Sequence, residues 1–285
     1  KQNLNKSGEL RYMINRVIKP IAYAGALAAL FCGQVSEAAD YSSWTYSMAC
    51  TLNTSPSGAD VSGNVTDFPV LIRLEDGVNF HFEQLAHSDG RDIRFTKSDS
   101  STNLPFEIER CSATRAEIWV LVDQVDGNSS SQTIIMYWGN DGAADVSDPN
   151  AVFSPSNGYE AVWHLGNSLS DATGNGYDLT EAAGPSYTTG NIDGGRAYNT
   201  EKESTGKNID FTGGKAQIAM WVMVDSLTGT YNRFMGSGDE FELKVADDSR
   251  LDADLLQEGQ DYLRSKTVLE VGTTTWYHVV VDADA

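Results

Sequence analysis

From Trp44 onward the sequence consists of short apolar runs that alternate with polar residues at period two. Clusters of Gly, Asp, Asn and Ser close these runs. Residues 44–52, 68–74, 92–96, 104–111, 116–122 and 132–138 read as strands, with 80–86 as a short helix or turn. A strand of this pattern is apolar on one face only, so it must bury that face against a second layer. Short strands with turns between them predict an antiparallel sandwich over residues 40–145.

The same grammar resumes after 146–157, a stretch rich in Ser and Asp with Pro149 and Pro155 that reads as a linker. In 160–165, Ala161, Trp163 and Leu165 alternate with Val162 and His164, which predicts a strand. It runs towards the polar turn Asp171-Ala-Thr-Gly-Asn-Gly. Residues 216–224, 241–245 and 275–281 are further strand candidates. The expected fold class is therefore all-β, with two tandem antiparallel β-sandwiches, the second over 158–285.

Ahead of both lies a leader. From Met13 the chain has a basic start (Arg16, Lys19), an apolar stretch over 21–31 and the small-x-small site Ser36-Glu37-Ala38. Residues 13–38 read as a secretory signal peptide, with the mature chain starting near Ala39. Cys32 follows Phe31, so the small residue that a lipoprotein site needs before its cysteine is missing. Residues 1–12 are expected to be translated upstream sequence, since the Gly8-Glu9 pair can be encoded by a ribosome-binding purine tract. The product is expected in the periplasm, at the cell surface or in the medium. The mature part is not expected to span a membrane, having no apolar run long enough to do so.

A formal net charge of −20 makes nucleic acid a poor partner. The acidic residues are dispersed through turns, which suits solubility or cation binding. Of the 3 cysteines, Cys50 and Cys111 remain after leader removal. In an oxidising compartment that count favours a Cys50–Cys111 disulfide, the alternative being two buried thiols.

Five words occur in order: Asp67-Phe-Pro-Val-Leu-Ile-Arg-Leu, Asp89-Gly-Arg-Asp-Ile-Arg-Phe, Leu104-Pro-Phe-Glu-Ile-Glu, Ala116-Glu-Ile-Trp-Val and Met136-Tyr-Trp-Gly-Asn. Together they resemble a bacterial β-domain family of unassigned function. Its members often precede a laminin-G-like domain and front some proteins of the MotA/TolQ/ExbB proton-channel family. In the second half, Gly194-Gly-Arg-Ala-Tyr198, the Trp221 strand and Thr275-Trp-Tyr-His278 resemble concanavalin A-like, laminin-G-like jelly rolls. That resemblance implies further strands after Ala285, so the second domain is expected to be C-terminally truncated.

Motifs for chemistry are sparse. His81, His87, His164 and His278 accompany no Gly-x-Ser-x-Gly elbow and no His-Glu-x-x-His word. Glu107/Glu109 and Glu240/Glu242 each place two carboxylates on one strand face. Neither completes a sandwich-glycosidase signature, and exposed strand carboxylates explain both. Trp44, Trp119, Trp138, Trp163, Trp221 and Trp276 lie within strand patterns, where core packing competes with sugar stacking. His164 and His278 read as packing residues. Asp171, Asn175 and Asp178 offer turn oxygens to calcium, the competing role for Asp171 being to accept backbone N–H groups.

The expected function is a non-catalytic, exported binding module with no required cofactor and calcium as a candidate ion. Polysaccharide or envelope glycan is the leading ligand class, and other envelope proteins are candidate partners. The alternatives are the periplasmic front end of a MotA/TolQ/ExbB-type channel protein and, below it, a glycoside hydrolase.

Overall fold

The computed structural model describes residues 40–198, 203–207, 209, 215–227, 231–237, 241–255 and 263–284. The leader and the residues before it lie outside the described residues. No helix among the described residues is long and apolar enough to cross a membrane. The chain divides into two compact units, with the division between Tyr159 and Glu160.

Unit 1 contains β1 (Tyr46–Leu52), β2 (Val65–Glu75), β3 (Arg94–Lys97), β4 (Phe106–Cys111), β5 (Arg115–Val125) and β6 (Gln132–Trp138). They form two antiparallel three-stranded sheets, ordered β1-β6-β3 and β2-β5-β4. Alternation selects the inner faces. Ala116, Ile118, Val120 and Val122 of β5 and Ile134, Met136 and Trp138 of β6 join Leu52, Leu74, Phe95 and Phe106 in one buried cluster. One core shared by two sheets makes unit 1 a β-sandwich.

The stretch expected as a linker is instead built into unit 1. Ile108 N–H donates to Ser147 Oγ at 2.8 Å, and Asp148 N–H donates to Phe106 O at 2.9 Å. Asp148 then caps the single-turn α1 (Pro149–Val152), accepting from Asn150 N–H at 3.0 Å and Ala151 N–H at 3.3 Å. Val152 and Phe153 are buried, and Phe153 packs edge-on to Trp119 at 5.6 Å and to Tyr159 at 5.3 Å. Pro149 and Pro155 thus start helical turns. Trp119 sits on the outward face of β5, and this segment covers it.

One carboxylate ties the loops of unit 1 together. Asp92 is 0% exposed. Its Oδ2 accepts Ala86 N–H at 2.9 Å and Gly139 N–H at 2.8 Å, and its Oδ1 accepts His87 N–H at 3.2 Å. Its carbonyl accepts from Trp44 Nε1 at 2.8 Å. The segment before β3, the turn after β6 and the lead-in to β1 therefore share a single residue. Gly139 adopts φ 87°, and a β-carbon there would stand 2.8 Å from the Tyr46 ring, so the turn requires glycine.

In unit 2, residues 160–165 are not a strand. Val162 gives its N–H to the Asp171 side chain and its carbonyl to Ala172, and Leu165 adopts φ 59°. The turn takes the hydrogen bonds that a sheet partner would have taken. The strands are β7 (Ser186–Thr189), β8 (Gly194–Ala197), β9 (Lys215–Val222), β10 (Tyr231–Ser237), β11 (Phe241–Ala246), β12 (Arg250–Leu255), β13 (Leu263–Val268) and β14 (Tyr277–Asp284). They form a sheet ordered β10-β11-β12-β13, the antiparallel pair β14-β9 and the hairpin β7-β8. Val222 and Val279 of the pair bury against Phe241, Leu243 and Ala253 of the sheet, so unit 2 also packs sheet on sheet.

Replacing Asp92 by Ala orphans three backbone N–H groups inside unit 1. The expected cost is about 2–4 kcal/mol, read as a lower urea midpoint for the unit 1 transition. A midpoint unchanged from the parent would contradict the role given to this carboxylate.

Candidate functional site

The outward face of the β1-β6-β3 sheet carries the aromatic cluster best placed to meet a ligand. In register, Ser47, Tyr137 and Arg94 lie side by side across the three strands. Alternation sends Tyr137 outward, because Met136 and Trp138 point into the core. Tyr41 stacks on Tyr137 at 4.3 Å with 15° between planes, and Trp44 meets Tyr41 edge-on at 4.8 Å. The Arg94 guanidinium lies 5.6 Å from the centre of the Trp44 ring. It is held there by the carbonyls of Arg91 and Ile93, each 2.7 Å away, and of Ala144 at 2.6 Å. Tyr41 Oη donates to Asn103 Oδ1, and burial raises the Tyr41 hydroxyl above its ordinary pKa. Tyr41, Trp44, Tyr137 and Arg94 are all half-buried, so each presents an apolar surface beside polar neighbours such as the exposed Ser43 and Ser47.

This cluster was only partly visible in the sequence, where Trp44 stood among the tryptophans. Arg94 and Tyr137 sit in two of the five ordered words. Period-two counting from the core residues Phe95 and Met136 would have placed both outward.

The acidic pairs are engaged elsewhere. Glu109 accepts from Trp119 Nε1 at 2.6 Å. Glu117, 0% exposed, receives Arg110 Nε at 2.7 Å and lies 2.6 Å from Arg115 Nε. Glu107 is buried opposite Trp119. In unit 2, Glu242 sits between Arg233 at 2.6 Å and Lys244 at 3.2 Å, while Glu240 lies outside the described residues. His278 is paired in register with Trp221, ring to ring at 4.9 Å, and burial lowers its pKa.

At the turn expected to offer Asp171, Asn175 and Asp178 to calcium, the hydrogen bonds follow the competing role, in which Asp171 accepts donors of the turn. Asp171 Oδ1 accepts Val162 N–H at 3.1 Å and Thr173 N–H at 3.0 Å. Its Oδ2 accepts Thr173 Oγ1 at 2.7 Å and Tyr177 N–H at 3.2 Å. Four donors fill the roughly four lone-pair positions of the Asp171 carboxylate. Asp178 Oδ1 accepts Asp171 N–H at 2.8 Å, and the Asn175 amide donates to Glu160 O at 2.8 Å.

The expected Cys50–Cys111 disulfide is corrected: both cysteines are free thiols. Cys50 lies in β1 opposite Ile134, whereas Cys111 lies in the other sheet opposite Ala116. A β-carbon on Gly90 would stand 3.1 Å from the Cys111 sulfur and 3.3 Å from Ile93, so Cys111 packs against the turn ahead of β3. Burial raises each thiol to about 11.

Residues 89–163 match the family model described as Domain of unknown function (DUF2341). The matched stretch contains Asp92, Arg94, Tyr137 and the segment that covers Trp119. No curated protein and no solved structure matches the chain.

Two outcomes follow. At pH 8, iodoacetamide is expected to label Cys50 and Cys111 slowly in the folded chain and rapidly in urea; equal rates in both states would contradict their burial. For Asp171, burial pushes the carboxyl pKa up, but hydrogen bonds from Thr173, Val162 and Tyr177 outweigh it and hold the group below 3.8. A depressed folded pKa gives stability that is complete above the unfolded value and is lost as pH falls from there through the folded value. Unit 2 melting is therefore expected to drop in that acid window, with Asp171→Asn removing this component of the drop. An unchanged acid profile in the variant would overturn the assignment.

Proposed function

We propose that this protein is a non-catalytic binding module that acts outside the cytoplasm and takes a glycan on the Tyr41, Trp44 and Tyr137 cluster. The observation that carries the reading is the half-exposed aromatic stack beside Asn103 and Arg94 on a sheet face. Flat apolar rings with adjacent polar groups suit the alternating apolar and hydroxylated surface of a sugar. Support against hydrolysis comes from Glu109, Glu117 and Glu242, whose carboxylates are committed to Trp, Arg and Lys partners. A glycosidase requires two carboxylates disposed about one bond. The leader and the jelly-roll words of the second half support export and a recognition role, as a likeness rather than a demonstration.

Affinity electrophoresis of the full chain through gels holding a panel of bacterial and plant polysaccharides tests the proposal. At least one polysaccharide is expected to retard the parent, and Trp44→Ala is expected to reduce that retardation while leaving the unit 2 melt unchanged. If no polysaccharide retards the parent, or if Trp44→Ala is retarded equally, the platform reading falls and an envelope-structural role takes its place.

A further inference from the structure

A second site lies in unit 1 between β2 and β3, away from the residues of the aromatic cluster. Asp76, His81 and Glu83 bring one ligand atom each to within 4.8 Å of one another. An extended His81 leading into a single 3-10 turn (Phe82–Gln84) produces this grouping. Phe80 and Phe82 are buried in the core and packed edge-on at 5.0 Å, while His81 and Glu83 are exposed. The backbone is fixed at each ligand. Asp76 N–H donates to Thr114 O at 3.0 Å, and Gly77 N–H donates to Phe80 O at 2.9 Å. The Asp76 carboxylate accepts Phe82 N–H at 3.2 Å, which aims it across the loop at the other two side chains. Glu75 N–H donates to Asn79 Oδ1 at 2.8 Å, and the Asn79 amide donates to Arg73 O at 2.9 Å, locking the turn between the first ligand and the others.

The geometry points to a divalent transition-metal site at Asp76, His81 and Glu83, with zinc as the ion of choice. Two carboxylates in so small a space repel, and a cation between them would relieve that repulsion; His81 Nδ1 lies 3.7 Å from Glu83 Oε1, within reach of the same ion. The imidazole decides the class of metal. Calcium and magnesium prefer all-oxygen shells, whereas one nitrogen and two carboxylate oxygens suit zinc, manganese or iron. Zinc bonds of about 2.0–2.2 Å require the donors to close slightly, and the His81 and Glu83 side chains, 59% and 74% exposed, are able to do so. Three protein ligands leave coordination positions open. Asp76 and Glu83 also line a groove of about 310 Å³ with Phe82, Leu85, Ser88, Ser112 and Ala113. An ion held there would present its open side to a groove floored by apolar side chains and edged by two hydroxyls. That arrangement suits a small anionic ligand, such as a carboxylate, completing the shell.

The test is isothermal titration of the EDTA-treated full chain with zinc alone and with calcium alone, repeated on His81→Ala and Glu83→Gln. Both side chains are exposed, so folding is checked simply by melting the apo proteins. Zinc is expected to bind one site in the parent and to raise the unit 1 melting temperature, with calcium at least tenfold weaker. Each substitution is expected to weaken zinc at least tenfold, and the imidazole signals of His81 are expected to shift on zinc addition. Failure of the parent to bind zinc, zinc binding of equal strength in His81→Ala, or equal affinity for calcium would each overturn the site.

Discussion

A buried carboxylate that accepts backbone N–H groups is the constraint on which each unit depends. Loops on a small sandwich carry donors that no strand ladder can satisfy, and an orphaned buried N–H costs as much as a lost hydrogen bond. Asp92 answers three such donors in unit 1, drawn from 86–87 and from the turn at Gly139. Asp171 answers four donors in unit 2, from Val162, Thr173 and Tyr177. In both units one side chain replaces several ladder bonds, and irregular backbone gains a fixed shape. The aromatic cluster follows from this, because Trp44 is anchored to the carbonyl of Asp92 and Tyr41 to the sheet through Tyr137.

The abundant acid of this chain therefore does several jobs. Asp148 caps a helical turn, Glu117 fills an ion-paired position on an outward sheet face, and Asp252 receives Arg264 through both oxygens at 2.8 and 2.9 Å. On the outer face of unit 2, Arg233, Lys244, Asp252 and Arg264 stand in register across four strands, with Glu242 between the first two. Such a ladder offsets much of the local negative charge and pins the register of a sheet whose edges are polar. Carboxylates used in this way are structural. The Asp76, His81 and Glu83 group differs in bringing two acids and an imidazole within 4.8 Å of one another.

The sandwich layers were legible because apolar alternation survives in β1, β5 and β6, while β2 carries a short continuous apolar run. Other parts were hidden by physical effects that lie outside periodicity. The run Ala161-Val-Trp-His-Leu alternates like a strand, yet the Asp171 turn captures Val162 and no ladder forms. In strand β12 the charged Asp252 breaks the apolar pattern, and Arg264 neutralises it, leaving Leu251 and Ala253 to face the core. Proline at 149 and 155 suggested a linker, but Phe153 had a tryptophan to cover. Pairing two cysteines by count and compartment ignored which sheet each strand would join. The metal-ligand group was open to the sequence in Asp76-Gly-Val-Asn-Phe-His-Phe-Glu83, where alternating Phe marks the outward positions. No standard spacing flags it.

Amide hydrogen exchange at Ala86, His87 and Gly139 in the unmodified chain tests the central claim most directly, because each lies in a loop and each has the Asp92 carboxylate as its acceptor. The account predicts that all three exchange slowly and together, in the same class as the core amides of β5 and β6. Exchange at the rate of an open loop, or three unrelated rates, would contradict it.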